Sequence, residues 1–308
     1  MANVRRAKTE TKTRRSRRSP QHYDAWYGLA FVAPQVLGFL TFVIGPIVAV
    51  FWYSLHERNL LSGQITFVGL DNYQRMLFED PVFMKVLVNS LVFAAGLVPL
   101  NILLALILAL LLAQQRPGVT LFRTLFFAPV VTSAVAWAIV WRFMLQDETG
   151  TINQVLRVIG IDGPNWLRED SWAMTSVIFT RILKNVGLNM LIYLAAIQTI
   201  PKEFGDAARV DGANRMQVLR HVTLPMLAPT TLFITIVTIV GSMQVFDHIL
   251  LMTGGGPANA TLVLVYYVYQ QGFLFFETGY ASTVAGVLFL ITMALTIFRW
   301  VVGGKDGS

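Results

Sequence analysis

Residues 204–230, FGDAARVDGANRMQVLRHVTLPMLAPT, form the most polar and helix-prone run in the second half of an otherwise apolar chain. The run is flanked by two apolar segments, residues 174–197 and 230–252. Each flanking segment is long enough to cross a bilayer, which takes about 20 residues. The stretch therefore predicts a structured connection between two membrane-spanning helices.

The connection itself is predicted to fold as a helix–turn–helix. Phe204, Ala207 and Ala208 recur at i, i+3 and i+4, which gives one apolar helix face with small residues beside a large one. Gly212 follows Asp211 and can adopt the left-handed backbone that other residues resist, so a turn is expected there. The second helix carries its larger apolar residues on one side, at Met216, Leu219 and Val222.

Two prolines mark the limits of this connection. Pro201 cannot continue the preceding helix comfortably, so the chain should break there. Pro225 is predicted to lie in the first turn of the next span, where its missing N–H matters least.

Composition identifies the environment. Of 308 residues, 55% are hydrophobic and 13% are charged, with a mean hydropathy of +0.59, whereas a soluble domain is about a quarter charged. Lipid offers the backbone no hydrogen bonds, so long apolar runs must be helices. Six such runs are predicted to span the membrane: Tyr27–Leu55, Met84–Ala113, Leu121–Leu145, Trp172–Gln198, Thr223–Met252 and Ala281–Val302. An integral membrane protein follows.

The positive charges predict the orientation. Eight of the 24 Lys and Arg residues precede the first span, whereas residues 253–279 contain none. Four more lie in the connection between the fourth and fifth spans: Lys202, Arg209, Arg215 and Arg220. Positive residues accumulate in cytoplasmic loops, so the N-terminus, this connection and the C-terminus are expected inside. We interpret the basic tail as a topology signal in contact with anionic lipid. Nucleic-acid binding is disfavoured, because no aromatic residue that could stack on a base precedes Tyr23.

The sequence contains no recognisable catalytic pattern. The chain has no cysteine, which excludes disulfides and thiolate catalysis, and its four histidines show no metal-ligand spacing. A nucleotide-binding G-x-x-x-x-G-K-[ST] pattern and a G-x-S-x-G nucleophile pattern are absent. The chain is therefore expected to have no catalytic residue, metal or cofactor of its own. The first apolar run is too long for a signal peptide and should be retained as a span.

Two local elements are also predicted outside the spans. In FEDP, Pro81 should stop one element and start another. The long connection after the third span contains INQVLRVIG, residues 152–160, which has the pattern of a short amphipathic helix.

The connection resembles the EAA loop of bacterial ABC importer permeases. That loop reads E-A-A-x-x-D-G-A, then five residues, an aromatic residue, and a short stretch ending in Leu-Pro. Here D-A-A-R-V-D-G-A runs from Asp206 to Ala213, Leu219 takes the aromatic position, and Leu224-Pro225 closes the pattern. Asp206 replaces the usual Glu, and Leu219 replaces the usual Phe.

Further segments are similar to the carbohydrate-uptake branch of that family, the maltose, multiple-sugar and glycerol-3-phosphate permeases. These segments are LTFVIGPIVAVFWYSL, FVGLDNYQRM, KNVGLNMLIYLAAIQTIP, TGGGPANATLVLVYYVYQQGF and TGYAS. The resemblance implies an all-α membrane protein with six transmembrane helices, the type I ABC importer permease fold. The expected parts are a basic cytoplasmic tail (1–26), a first helix with its external loop (27–83), a five-helix transmembrane domain (84–302) with the coupling loop (201–225), and a cytoplasmic tail (303–308).

The same resemblance implies partners. A second homologous permease, two cytoplasmic ATPases that use ATP and Mg, and an extracytoplasmic solute-binding protein are expected. The loop would dock into a groove on the ATPase, and its coupling residues would be Glu203, Asp206, Ala207, Ala208, Asp211, Gly212, Ala213 and Leu219.

Polar residues inside two spans suggest where a solute passes. An ionisable residue at the centre of a span costs about 2.5–3.5 kcal/mol on insertion scales, so it needs an explanation. The fourth span places Arg181, Lys184 and Asn185 on one helix face with Leu188, and the fifth has a stripe of hydroxyl residues. By resemblance to maltose-type permeases, the candidates are Arg181, Lys184, Asn185, Leu188, Thr238 and Ser242. Alternatively, Arg181 and Lys184 pair with Asp247 or with partner carboxylates, or serve packing.

Two questions stay open at the level of sequence. A secondary transporter or another polytopic solute carrier would also use six or more spans, although it usually shows paired repeats and broken helices. The solute itself could be an oligosaccharide, a monosaccharide, or glycerol phosphate and its diesters.

Overall fold

The structure is a computed structural model that describes residues 22–58, 63–114 and 117–303. Most of the predicted basic tail (residues 1–21) and of the C-terminal tail (residues 304–308) therefore lies outside the described residues. By its contacts the chain divides into two units, Met1–Ala49 and Val50–Ser308.

The described part of the first unit is helical. It contains α1 (His22–Phe39), a π-helical segment (Leu40–Ile44) and the beginning of α2 (Gly45–Ser54). Almost all of its apolar side chains from Tyr27 onward are exposed, as suits a helix surrounded by lipid. Together with the rest of α2 it gives a span-length apolar helix, Tyr27–Ser54.

The second unit is a helical bundle with one small hairpin. The strands β1 (His56–Arg58) and β2 (Ile65–Phe67) pair antiparallel, with Glu57 opposite Thr66. Its remaining α-helices are α3 (Asp71–Gln74), α4 (Pro81–Leu112), α5 (Val119–Val131), α6 (Ala134–Met144), α7 (Thr151–Val158), α8 (Asp170–Thr199), α9 (Lys202–Val210), α10 (Arg215–Val218), α11 (Leu224–Met226), α12 (Ala228–Met243), α13 (Leu264–Tyr269) and α14 (Thr278–Gly303). π-Helical segments occupy Arg75–Glu79, Leu219–Thr223, Ile249–Thr253 and Gln270–Leu274.

Four described helices are long and apolar enough to cross a membrane by themselves: Tyr27–Ser54, Pro81–Leu112, Asp170–Thr199 and Thr278–Phe298. Two further candidates are bent pairs, Val119–Val131 with Ala134–Met144 at 102° and Arg215–Met226 with Ala228–Met243 at 62°. The described residues thus contain four to six spans.

The third and fifth predicted spans are therefore not continuous helices. The third breaks at Thr132 and Ser133, whose backbones are extended, shortly after Pro129 has removed one N–H from the last turn of α5. In the fifth, Pro225 lies inside α11, and Pro229 occupies the first turn of α12 instead. The expectation that Pro225 opens the next span was wrong by four residues, because the second proline starts the membrane helix.

The core lies between α4 and α8, with α5, α12 and α14 packed around them. Its largest fully buried side chains include Phe83 and Phe93 of α4 and Met190 and Tyr193 of α8. Gly187 allows α8 to approach α5 closely, since a Cβ atom at this position would lie 2.0 Å from the carbonyl oxygen of Phe126. The helices pack through small residues, as membrane helices commonly do.

The FEDP sequence begins α4 as predicted. Asp80 caps the helix by accepting hydrogen bonds from the N–H groups of Val82 and Phe83, at 2.8 and 3.3 Å. The hydroxyls of Tyr267 and Tyr280 also donate to Asp80 Oδ2. One carboxylate thereby joins the start of α4 to α13 and α14.

A second polar contact lies beside this cap. Arg75 pairs with Glu277 at 2.7 Å, and its guanidinium lies 4.4 Å from the centroid of the Tyr280 ring. Burial disfavours the Arg75 charge, but the hydrogen bond and the charge of Glu277 outweigh it and raise the pKa of Arg75. Burial likewise disfavours the Asp80 charge, but the hydrogen bonds from both tyrosines and from the backbone lower the pKa of Asp80.

Asp80→Asn is expected to lower the thermal unfolding temperature of the detergent-solubilised protein. The loss should correspond to about 1–2 kcal/mol in the free energy of unfolding, because a carboxylate that accepts hydrogen bonds from four donors is replaced by a neutral amide. Because the folded-state pKa of Asp80 is depressed, its contribution is complete above the unfolded value of about 3.9 and is lost as the pH falls through the lower folded value. The difference between wild type and variant should therefore persist at neutral pH and shrink in acid.

The exposed neighbour Glu79, for which the structure shows no side-chain contact, provides the control. Glu79→Gln should unfold like the wild type at neutral pH. Equal melting of Asp80→Asn and wild type at pH 7 would contradict the role assigned to Asp80.

Candidate functional site

The connection between α8 and α12 folds as the predicted helix–turn–helix. α9 begins directly after Pro201, and a four-residue turn separates it from α10. The second helix starts with a capping box: the Asn214 side chain accepts from the Gln217 N–H at 2.9 Å, and Gln217 Oε1 accepts from the Asn214 N–H at 2.7 Å. This helix continues through Leu219–Thr223 and α11 to Met226.

Gly212 makes the turn possible. Its φ angle is +88°, in the left-handed region, and its N–H donates to the Arg209 carbonyl at 3.0 Å. The next N–H, from Ala213, returns to the carbonyl of Ala208 at 2.9 Å. No atom lies within 4 Å of the position that a Cβ would take, so the requirement for glycine comes from the backbone angle and not from crowding.

The exposed face of residues 201–226 carries the predicted coupling residues and is called the coupling surface for that prediction. It is apolar in places. Phe204, Val210 and Met216 are 54%, 87% and 68% exposed. A shallow concavity of about 370 Å³ lies beside them, lined by Ala208, Asp211, Gly212, Ala213, Gln217, His221 and Val222. Large apolar side chains exposed among charged ones are typical of a surface that a partner covers.

The predicted coupling residues all lie on this surface. Five are exposed, namely Glu203, Asp206, Ala207, Asp211 and Gly212, and three are half-buried, namely Ala208, Ala213 and Leu219. Asp206 pairs with Arg209 at 2.6 Å. Sequence reasoning missed Val210, although a large apolar residue between Arg209 and Asp211 was a visible signal.

The predicted solute-path residues of α8 differ in exposure. Arg181 and Asn185 are half-buried and Leu188 is exposed, so these three form one accessible stripe. Lys184 shares this helix face but is only 5% exposed.

Lys184 lies against the break between α5 and α6. Its Nζ donates to the carbonyl oxygens of Pro129 and of Thr132, the latter at 2.6 Å, and contacts Thr132 Oγ1 at 3.2 Å. These carbonyls belong to the end of a helix, where the backbone dipole favours a cation. Trp137 adds a hydrogen bond from Nε1 to the Thr180 carbonyl, at 3.0 Å. Lys184 therefore satisfies backbone carbonyls at the break between α5 and α6. No described carboxylate pairs with it.

The candidates on α12 face the protein interior. Thr238 is 7% exposed and accepts a hydrogen bond from Asn189 Nδ2 at 3.2 Å, while Asn189 also donates to Asn101 Oδ1 at 2.6 Å. Ser242 is 2% exposed and donates to the carbonyl of Ile239 at 2.7 Å. The exposed side of α12 is instead marked by Phe233 and Val237. The part of Thr238 and Ser242 in a solute path stays a prediction.

Unsatisfied polar groups lie on α8 and just after α12. The Nε of Arg181 and both ring nitrogens of His248 are buried without a hydrogen-bond partner among the described residues. Asp247 acts electrostatically on Arg181, as Arg181 does on Lys184 and His248. The sequence pointed to Asp247 as a neighbour of Arg181, but His248 was missed. Among the described residues, no group of acidic and histidine side chains could hold a metal ion.

Comparison with known proteins fits this geometry. Residues 82–303 match the family model described as binding-protein-dependent transport system inner membrane component. The chain is 33% identical over 281 residues to the arabinooligosaccharides transport system permease protein AraP of Bacillus subtilis, covering 89% of this chain and 88% of AraP. It is 36% identical over 291 residues to the lactose transport system permease protein LacF of Rhizobium radiobacter, covering 92% and 96%.

Solved structures agree on the fold. A chain of a bacterial ABC transporter that imports the acidic polysaccharide alginate matches with a TM-score of 0.82 at 23% identity, over 93% of this chain and 98% of that one. The alginate transporter has also been solved with an alginate pentasaccharide-bound periplasmic protein, and a chain of that complex matches with a TM-score of 0.79 at 23% identity, over 90% and 93%. The type I importer permease fold expected from the sequence is thereby confirmed. The chain belongs to the family of binding-protein-dependent transport system inner membrane components, the multi-pass permease subunits of ABC transporters.

Proposed function

We propose that this chain is the permease subunit of an ATP-driven importer that moves a sugar or a sugar-like solute across the cytoplasmic membrane. The observation that carries the proposal is the coupling surface, a rigid helix–turn–helix with exposed apolar residues and an open concavity. Sugar import is supported by relatives that are named for arabinooligosaccharides and lactose and by the fold of an alginate importer.

The exposed surfaces of the chain, and a sequence without a nucleotide-binding pattern, support the following assembly. The coupling surface would dock on a cytoplasmic ATPase, and ATP and Mg would be used in that subunit. The accessible stripes of α8, at Arg181, Asn185 and Leu188, and of α12, at Phe233 and Val237, would face a second, homologous permease across the solute path. An extracytoplasmic binding protein would deliver the solute, as the alginate complex with its periplasmic protein suggests.

A secondary transporter is the weaker proposal. Broken spans alone do not favour it, because this chain has them as well. A carrier driven by an ion gradient has no use for a docking surface of this kind.

The proposal is tested by reconstituting the chain with its second permease, ATPase and binding protein in nanodiscs. Loaded binding protein should stimulate ATP hydrolysis for at least one member of a panel of neutral oligosaccharides, monosaccharides and glycerophosphodiesters. ATP-independent solute exchange driven by an ion gradient would overturn it.

Orientation gives a separate prediction. The chain has no cysteine, so single cysteines can be labelled without background. A cysteine at Asn259 should react with an impermeant maleimide from outside intact cells, and one at Asn214 should react only after permeabilisation. External labelling at residue 214 would contradict both the orientation and the coupling role.

The accessible stripe of α8 gives a prediction for transport. Arg181→Ala and Asn185→Ala should each reduce uptake or change the solute preference, because they remove polar groups from the proposed path, while co-purification with the ATPase stays normal. Leu111→Ala is the control, since Leu111 is 60% exposed on α4 and lies on neither α8 nor α12. Normal uptake of every panel member by both polar variants would show that the stripe has no role in the path.

A further inference from the structure

The connection between α6 and α8 carries an apolar surface that neither coupling nor the solute path uses. α7 and the residue directly after it present Val155, Val158 and Ile159, which are 60%, 87% and 65% exposed and define the α7 stripe. Arg157 and Gln154 are exposed on the adjoining side of the same short helix. The helix therefore has one apolar and one polar exposed side.

The α7 stripe is held in a fixed orientation. Asn153 is fully buried, and its Nδ2 donates to the carbonyls of Asp147 and Pro164 at 2.8 and 3.1 Å. Its Oδ1 accepts from Trp166 Nε1 at 2.6 Å, and Arg157 donates to the Glu148 carbonyl at 3.1 Å. Because these bonds fix the helix on both sides, the exposure of Val158 is built into the fold.

An apolar cleft lies beneath α7. Its volume is about 360 Å³, and its lining is almost wholly apolar: Leu145, Ile152, Trp166, Trp172, Thr175, Ser176 and Phe179. Trp166 and Trp172 form its aromatic end, with ring centroids 5.2 Å apart. Water in such a cleft would find hardly any partner, so the cleft favours an alkyl group.

The position of the cleft on α8 decides what can reach it. Phe179 is two residues from Arg181, which at 3.6 residues per turn places it about 200° around the helix. Trp172 and Thr175 share the face of Phe179 because they are spaced at i, i+3 and i+7. A second permease that covers the Arg181 stripe leaves this opposite face to lipid. Trp172 also lies in the first turn of a spanning helix, where tryptophan is enriched at the membrane boundary.

We propose that α7 lies flat in the membrane boundary and that an alkyl chain of a phospholipid occupies the cleft beneath it. The α7 stripe enters the boundary between headgroups and acyl chains, while Arg157 and Gln154 remain on the aqueous side, as in other interfacial amphipathic helices. Bound lipid would brace the connection 145–169 against α8.

The position of α7 is tested with a fluorophore on single cysteines in the assembled transporter, reconstituted in phosphatidylglycerol nanodiscs. The quencher is a lipid that carries a nitroxide near the headgroup. It should quench the fluorophore on Val158→Cys several-fold more strongly than the fluorophore on Arg157→Cys, the neighbour on the polar side. Equal quenching at the two positions overturns the proposal. The proposal is also overturned if lipid does not quench the Val158 label and the binding protein or the second permease shields it.

The occupant of the cleft is tested with a phosphatidylglycerol that carries a photoreactive diazirine in one acyl chain. Crosslinks should map to residues 172–179, and Thr175→Trp, which fills the cleft, should reduce them several-fold. Leu111→Trp is the matched control, because Leu111 is 60% exposed on α4 and lies outside the cleft. If residues 172–179 are not crosslinked, or if Thr175→Trp is crosslinked as strongly as the wild type, the cleft holds no lipid chain.

Discussion

Gly212→Val is expected to give a folded, membrane-inserted permease with almost no solute-stimulated ATP hydrolysis. Gly212 has a φ of +88°, and a β-branched residue at that angle is strained by about 1–3 kcal/mol. The turn can relieve the strain only by changing the angle between α9 and α10, which would displace Phe204 and Met216 from one another. The substitution meets no neighbouring atom, so the defect should remain local.

Gly118→Val is the matched control. Gly118 has a φ of +89° and equally open surroundings, but it lies before α5 and outside the coupling surface. Both variants should insert and purify alike, whereas only Gly212→Val should lose hydrolysis stimulated by the loaded binding protein and co-purification of the ATPase. Wild-type coupling in Gly212→Val, or an equal loss in Gly118→Val, would show that this turn is not the coupling element.

Gly187→Ala is expected to destabilise the transmembrane domain strongly. The new Cβ would lie 2.0 Å from the Phe126 carbonyl oxygen and 2.7 Å from its carbon. The clash is with backbone, which cannot rotate away, so α8 and α5 must separate at a cost of about 1–3 kcal/mol or more. The separation would also draw Lys184, one turn earlier on α8, from the carbonyls of Pro129 and Thr132.

The same addition in α12 provides the comparison. Gly241 also lies within a spanning segment, but no atom lies within 4 Å of its Cβ position. Gly187→Ala should lower the unfolding temperature in detergent and the yield of folded protein, and Gly241→Ala should change neither. If the two variants melt together, the contact between α8 and α5 is looser than described.

The sequence by itself determined the membrane class, the helix–turn–helix and its turn, and several helix starts. These features depend on local chemistry: run length and hydropathy, the left-handed backbone open to Gly212, and the cap that Asp80 provides before Pro81. The pattern of residues 152–160 likewise predicted α7. Such signals act over a few residues, so no neighbouring element is needed to read them.

The tertiary structure alone decided which way the polar residues of the spans face. Lys184 and Asn185 are adjacent on α8, yet one caps the end of α5 and the other lies on the accessible stripe. Thr238 turned inward because Asn189 and Asn101, far away in the sequence, supply its hydrogen-bonding network. In an aqueous protein, hydrophobic periodicity separates the inside of a helix from its outside. In a membrane both sides are apolar, so only contacts with other helices set the direction.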